Sequence, residues 1–509
     1  MSDGGVMTDP VARRLLTAAV LIVTLMNTLD MTIANVALPH MQGSLSATAD
    51  QITWVLTSYI VASAIMIPMT GWLASRFGLR WVMLVSVVGF TIASLLCGLA
   101  QNLTEIVLFR VLQGVFGAAM TPMSQVILMN IYPPERRGEA MSIWMMGAIL
   151  GPIMGPVIGG WLTDNFTWRW VFLINLPVGV VAFIGISTFL ERTRNAAKIH
   201  LDFFGFGMLA IAIGALQLML DRGQQRDWFS STEICLEAGM AAFCFYLFIV
   251  QTVTAKRPFL DRRLFADRNF ILCTGIGFMV GVLLFGTMSI LPQMLENQMD
   301  YPVVTTGMLM APRGFGSFTA SLIGARYGSR VDPRLLIFVG LAFNAVGLLM
   351  LCGINLQMNG WIVATSGILQ GIGSSTTFAP LAAVAFATLD PGLRNEGTAL
   401  FTLIRNMGSS CGISVLQTLS FRNAQRVHSQ LVEHLRPDNP VVATMSSHYS
   451  LSDPAGIGRL LGEVERQAIM VSYIDVFWGM AILSVLFMLP ILFLKKPRRA
   501  MAAAMAHAE

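Results

Sequence analysis

Charge is what this chain has least of. Asp, Glu, Lys and Arg make up 12% of its 509 residues, about half of what a soluble protein carries. That shortage excludes a solvated globular domain. Cysteine is also sparse: the six, at 97, 235, 244, 273, 352 and 411, fall in or beside apolar segments. None stands at metal-ligand spacing, so neither a disulfide framework nor a metal site is indicated, and no cofactor is called for. The six histidines, at 40, 200, 428, 434, 448 and 507, lie outside the apolar runs. A membrane-embedded enzyme would need a cluster of His or paired acids inside them, so the expectation is that this is not an enzyme. The net charge of +5 is spread over short loops and leaves no nucleic-acid footprint. There is no ring-forming selectivity sequence of the kind a channel uses.

What is present is apolar residues, 55% of the chain, in recurring runs of 18 or more that read as transmembrane helices. Fourteen spans are expected near 15–38, 51–73, 81–100, 103–130, 138–162, 169–190, 203–220, 232–252, 270–295, 304–325, 335–353, 360–386, 397–421 and 474–494. The fold class is therefore an all-α polytopic membrane protein. Arg13 and Arg14 precede the first run, which reads as an uncleaved span because no soluble start follows it. Of the 33 Lys and Arg, 22 lie on the side that holds both ends of the chain, which places both termini in the cytoplasm.

A repeat runs through the chain. Arg76-Phe77-Gly78-Leu79-Arg80 after the second span matches Arg326-Tyr327-Gly328-Ser329-Arg330 after the tenth. Leu112-Gln113-Gly114 in the fourth matches Leu369-Gln370-Gly371 in the twelfth. Two six-helix halves explain this, with residues 1–200 and 256–509 as the halves and two helices inserted at 201–255. Parallel six-helix repeats with the site between them are a transporter architecture.

Asp30 lies inside the first span, where an acid costs roughly 2.5–3.5 kcal/mol on insertion scales and marks a functional site by default. Arg110 sits in the fourth span. Counted by helix rise, Asp30 is about 12 Å and Arg110 about 10 Å from the same membrane surface, so the two charges can pair. Such a pair can load and release a proton, or it can simply hold two helices together. The fifth span carries Gly147, Gly151, Gly155 and Gly159 at four-residue spacing, a strip that admits a close neighbouring helix. Pro152 and Pro156 each remove a backbone donor.

These motifs resemble those of the major facilitator superfamily, in particular the fourteen-helix drug:proton antiporters of the EmrB/QacA type. Leu29-Asp30-Met31-Thr32-Ile33-Ala34-Asn35-Val36-Ala37-Leu38-Pro39 resembles their first-helix motif, whose acid is implicated in proton coupling. The stretch from Gly71 through Ser75, Arg76 and Gly78 to Arg80 resembles the superfamily's loop between helices two and three, which usually has Asp where Ser75 stands. Arg110 with Gln113 and Gly114 resembles the fourth-helix motif, in which the Arg assists proton transfer. Gly151-Pro152 and Gly155-Pro156 resemble the antiporter motif of exporters. Leu403-Ile404-Arg405-Asn406-Met407-Gly408 resembles a motif of helix thirteen, and Leu220-Asp221-Arg222-Gly223 with Asp227-Trp228-Phe229 is especially close to EmrB-type proteins.

The resemblance implies a bacterial inner-membrane exporter of lipophilic toxic compounds driven by inward-moving protons. It also implies a periplasmic adaptor and an outer-membrane channel as partners. Asp30 and Arg110 are the expected proton-coupling pair. Asn35, Gln113, Arg313 and Arg405 are candidates for the substrate cavity, Arg313 either facing it or pairing with Glu296 or Asp300. Gly71, Arg76, Gly78, Arg80, Gly151, Pro152, Gly155 and Pro156 are expected to serve the conformational change. The loop 422–473 contains amphipathic stretches that would cap the outer mouth or dock the adaptor. The 33 methionines suit an adaptable apolar cavity. The rival reading is a proton-coupled importer or uniporter of a metabolite.

Overall fold

A computed structural model describes residues 9–133, 136–191, 201–328, 331–435 and 453–495. Among the described residues all regular structure is helical, and thirteen helices are long and apolar enough to cross a membrane. They are α1 (Pro10–Ser44), α2 (Trp54–Phe77), α3 (Leu79–Leu99), α4 (Leu103–Ile131), α5 (Arg137–Asn165), α6 (Trp170–Phe189), α7 (Phe203–Arg222), α8 (Thr232–Thr254), α9 (Arg268–Asn297), α11 (Pro333–Cys352), α12 (Trp361–Ala387), α13 (Arg394–Glu433) and α14 (Pro454–Phe493). The fourteenth, α10 (Val303–Tyr327), has the length but is more polar, carrying Thr305, Thr306, Arg313, Ser317, Thr319 and Ser321.

Several helices start on an acidic cap, which satisfies backbone donors that the first turn leaves free. Asp9, Asp267 and Asp332 accept from Val11 N at 2.9 Å, Phe270 N at 2.8 Å and Arg334 N at 3.1 Å. Between α2 and α3 the chain turns at Gly78, whose φ of 86° disfavours any side chain. Arg76 stands in the last turn of α2, where a cation complements the helix dipole. Arg80 donates to Ser187 O at 2.7 Å.

Two expectations about the helices need correction. The stretch 422–473 is largely helix, because α13 continues to Glu433 and α14 begins at Pro454, capped by Asp453. Hydropathy marks where a helix leaves the bilayer, not where it ends, and the amphipathic periodicity of 425–435 and 459–470 carries it on. Residues 436–452 lie outside the described residues. The fourth span is not continuous: it consists of Leu103–Gly117 and Met120–Ile131. Pro122 has no N–H for the carbonyl of Ala118, four residues back, and the hydrogen-bond ladder lapses there. In α5 the helix runs unbroken through Pro152 and Pro156.

The sequence repeat reappears as a packing repeat. A Cβ on Gly114 would lie 2.5 Å from Tyr59 O and 3.2 Å from Ser63 N; one on Gly371 would lie 2.0 Å from Arg313 O and 2.9 Å from Ser317 N. In each case a glycine of the fourth or twelfth helix sits on the bare backbone of the second or tenth. A backbone cannot rotate away, so Gly371→Val is expected to remove most of the monodisperse protein from a size-exclusion profile. Gly239→Val, at a glycine with nothing within 4 Å, should leave the profile unchanged. A Gly371→Val protein that elutes normally would mean the close α10–α12 approach is dispensable.

The apolar cores show how the two sets of helices meet. One core mixes Met26, Trp144 and Met145 with Phe378, Phe386 and Phe401, and reaches Leu264, Leu393 and Leu494. At the opposite end there are two separate cores, one around Ile33, Met41, Cys97 and Trp168 and the other around Ile290, Leu295, Leu351 and Phe477. The molecule is thus fused at the end where the described chain starts and stops, and divided at the other. The fused end is tight: a Cβ on Gly71 would meet Glu396 Cα at 2.9 Å, and Asn395 Nδ2 donates to Ser75 Oγ at 3.2 Å.

The inserted pair α7–α8 bridges the divided end. The Thr57 hydroxyl donates to the Asp221 carboxylate, and Arg222 lies over Trp54 at 5.3 Å while pairing with Glu233. On the other side Ser414 Oγ donates to Leu220 O at 2.6 Å, and Trp228 Nε1 to Thr418 Oγ1 at 3.1 Å. Asp227 and Trp228 both adopt left-handed φ, 53° and 51°, a strain of about 1–3 kcal/mol each that these contacts hold in place.

Candidate functional site

Asp30 is fully buried and surrounded by donors. Arg110 Nη1 reaches its Oδ2 at 2.6 Å, while Gln113 Nε2 and Asn175 Nδ2 reach its Oδ1 at 2.8 and 2.9 Å. Three N–H groups and no acceptor make a shell that replaces water around an anion. Each donor is itself held. Arg110 Nε donates to Val55 O at 2.9 Å and Nη1 to Gln113 Oε1 at 2.8 Å. Ser94 Oγ accepts from Gln113 and Asn175 and donates to Phe172 O at 2.9 Å. The guanidinium lies over the rings of Tyr59 at 4.3 Å and Phe172 at 5.6 Å, contacts that favour a desolvated cation. Five helices, α1 to α4 and α6, contribute to this cage.

A separate small cavity of about 40 Å³ lies between the two sets of helices. Its wall is formed by Thr28 and Thr121 from α1 and α4, Trp144 and Ile149 from α5, Phe285 from α9, Phe378 and Arg405. Trp144 stacks on Phe378 at 5.3 Å, and Arg405 lies over both rings at 5.6 and 5.4 Å. Arg405 Nε has no hydrogen-bond partner and Arg405 forms no ion pair among the described residues. The cavity wall is thus mainly apolar and aromatic, with two threonines and one cation that has no ion-pair partner among the described residues.

The sequence-expected residues divide between these places. Asp30 and Arg110 meet. Gln113, expected at the cavity, belongs to the Asp30 cage. Asn35 is exposed and away from the cavity wall. Arg313 is 4% exposed and packs on Gly367 and Gly371. It pairs with neither Glu296 nor Asp300 and forms no ion pair among the described residues. Arg405 does face the cavity. The glycine strip of α5 lies on α1: a Cβ on Gly151 or Gly155 would come within 2.2 Å of the Thr28 or Thr32 hydroxyl. Sequence reasoning missed Ser94, Asn175, Tyr59, Asn27 and Trp144. An isolated amide in an apolar run, as at Asn27 and Asn175, was the available signal.

Comparison with known proteins agrees with this architecture. The model of the Major Facilitator Superfamily matches residues 20–413. The chain is similar to the multidrug export protein EmrB of Haemophilus influenzae, 35% identical over 493 residues, which span 95% of this chain and 96% of that one. It is also similar to the fatty acid resistance protein FarB of Neisseria gonorrhoeae, 34% identical over 93% of this chain and 94% of that one. In fold it is similar to the proton:xylose symporter XylE, with a TM-score of 0.60 and 14% identity over 97% and 99% of the two chains.

Proposed function

The chain belongs to the Major Facilitator Superfamily, and we propose that it exports hydrophobic and amphipathic compounds from the bacterial cytoplasm in exchange for protons. It is a multi-pass inner-membrane transporter and not an enzyme. The observation that carries the reading is the separation of two sites: a sealed Asp30–Arg110 pair, and an apolar, aromatic cavity beside it. Substrate and proton then need not compete for the same atoms. Each favours a different state of the protein, and that differential binding is the coupling. The wall of Trp144, Phe285, Phe378 and Ile149 suits a lipophilic cargo and offers a polar metabolite few hydrogen bonds, which argues against an importer of sugars or amino acids.

With both termini in the cytoplasm, α1–α6 and α9–α14 are the two rocking halves, and the fused end is the cytoplasmic gate. The α1–α5 glycine contact keeps helices of the first half moving as one body. An adaptor and an outer-membrane channel would meet the chain at the divided end, where α13 and α14 extend about 18 and 30 Å past the expected spans. The test is uptake into inverted vesicles under an imposed proton gradient, with ethidium and decanoate as probes. Movement of a sugar or amino acid in place of both probes would overturn the exporter reading.

Arg405 refines the cargo. A cation without a counter-ion against two aromatic faces favours amphipathic acids over neutral or cationic compounds. Arg405→Ala is expected to lower decanoate transport about ten-fold, the loss of roughly one charge-assisted contact of 1.4 kcal/mol, and to leave ethidium transport within about two-fold. Equal losses for both probes would show that Arg405 serves the fold or the gate instead of selectivity.

A further inference from the structure

Asn27 joins the two sites, although neither contains it. Its Nδ2 donates to Tyr59 OH at 3.0 Å and to Gly117 O at 3.3 Å, and its Oδ1 accepts from Thr121 Oγ1 at 3.0 Å. Thr121 stands in the cavity wall, and the ring of Tyr59 lies beneath the Arg110 guanidinium. A line of contacts therefore runs from the cavity through Thr121, Asn27, Tyr59 and Arg110 to Asp30. It crosses the one place where α4 is interrupted, Ala118–Ala119, with Gly117 before the lapse and Thr121 after it. A Cβ on Gly117 would press on both Asn27 Nδ2 and Tyr59 OH at 3.1 Å, so the crossing is closely fitted.

We propose that Asn27 is a positioning residue through which occupancy of the cavity is felt at Asp30. The proposal rests on the antiport reading above. When Asp30 is protonated its hold on Arg110 lapses. The guanidinium then shifts against the Tyr59 ring, and the Asn27 amide is drawn off Thr121. A substrate that contacts Thr121 favours the arrangement in the structure, with Thr121 on Asn27 and Arg110 on Asp30. The O–H bond of the Asp30 carboxyl breaks in the state open to the cytoplasm, and the proton passes to water on that side. The titratable and charged groups facing Asp30 from the surrounding helices are Arg110, Tyr59 and Cys97.

The experiment uses the purified full-length protein in weakly buffered detergent with a pH-indicating dye, and adds ethidium or decanoate. Wild type is expected to release protons on addition. Asn27→Ala is expected to bind the probes but release at least about five-fold fewer protons per bound probe. Thr121→Val is expected to lower the protons released per bound probe whatever its affinity, and Thr121→Ser, which keeps the hydroxyl, to restore that ratio. A merely structural role for Asn27 would lower melting temperature and binding together and leave the protons released per bound probe unchanged. That result would overturn the proposal, as would undiminished release in both Asn27→Ala and Thr121→Val. If wild type itself released no proton, the antiport reading would fall, and this proposal with it.

Discussion

Asp30→Asn is expected to abolish gradient-driven accumulation of ethidium and decanoate in inverted vesicles while leaving their binding intact. The reasoning is local. The carboxylate is enclosed by Arg110, Gln113 and Asn175, with no exposure to solvent. An amide of the same shape keeps one acceptor for these donors but carries no proton through the cycle. It also leaves Arg110 facing a neutral group in every state, so no step of the cycle alters the force between α1 and α4. Asp30→Glu should retain partial coupling: the acid survives, but an added methylene in a filled site costs about 1–3 kcal/mol. Accumulation unaffected by Asp30→Asn would show that the coupling proton is carried elsewhere.

Arg110→Ala is expected to have the largest effect on stability. It leaves the Asp30 carboxylate buried with only Gln113 and Asn175 as donors, and breaking a buried pair from one side costs about 3–5 kcal/mol. Most of that cost is the stranded charge, so Asp30→Asn in the same protein should recover much of it. A residue of about 1–3 kcal/mol is expected to persist in the double variant, because Val55 O also loses its donor. Thermal melting followed by size-exclusion chromatography separates the three proteins. If Arg110→Ala melted like wild type, or the double variant melted no higher than Arg110→Ala, the two residues would not form a coupled buried pair.

Polar residues in the spans were legible in proportion to their charge. An acid or guanidinium in an apolar run is conspicuous, and helix rise alone set Asp30 and Arg110 at matching depth. Arg313 and Arg405 were equally conspicuous, yet the wall of the cavity takes only the second. The difference is in how each helix packs: the backbone of Arg313 lies against Gly367 and Gly371 of α12, whereas the Arg405 guanidinium lies over the rings of Trp144 and Phe378. Gln113 lies one helical turn from Arg110, so it follows Arg110 into the cage and not into the cavity.

By itself the sequence determined the membrane class, the number of spans, the internal repeat and the depth of the charged pair. These follow from hydropathy and helical rise, which are properties of one segment at a time. Only the tertiary structure decided which neutral groups complete the cage and which side chains line the cavity beside it. Asn175 reaches Asp30 across 145 residues of sequence, and Gln113 across 83. The cavity depends on Trp144, Phe378 and Arg405 meeting from α5, α12 and α13. Such convergence is set by the rotation of each helix about its axis and by the glycines that let backbones touch, and a single segment carries no record of its neighbour's orientation.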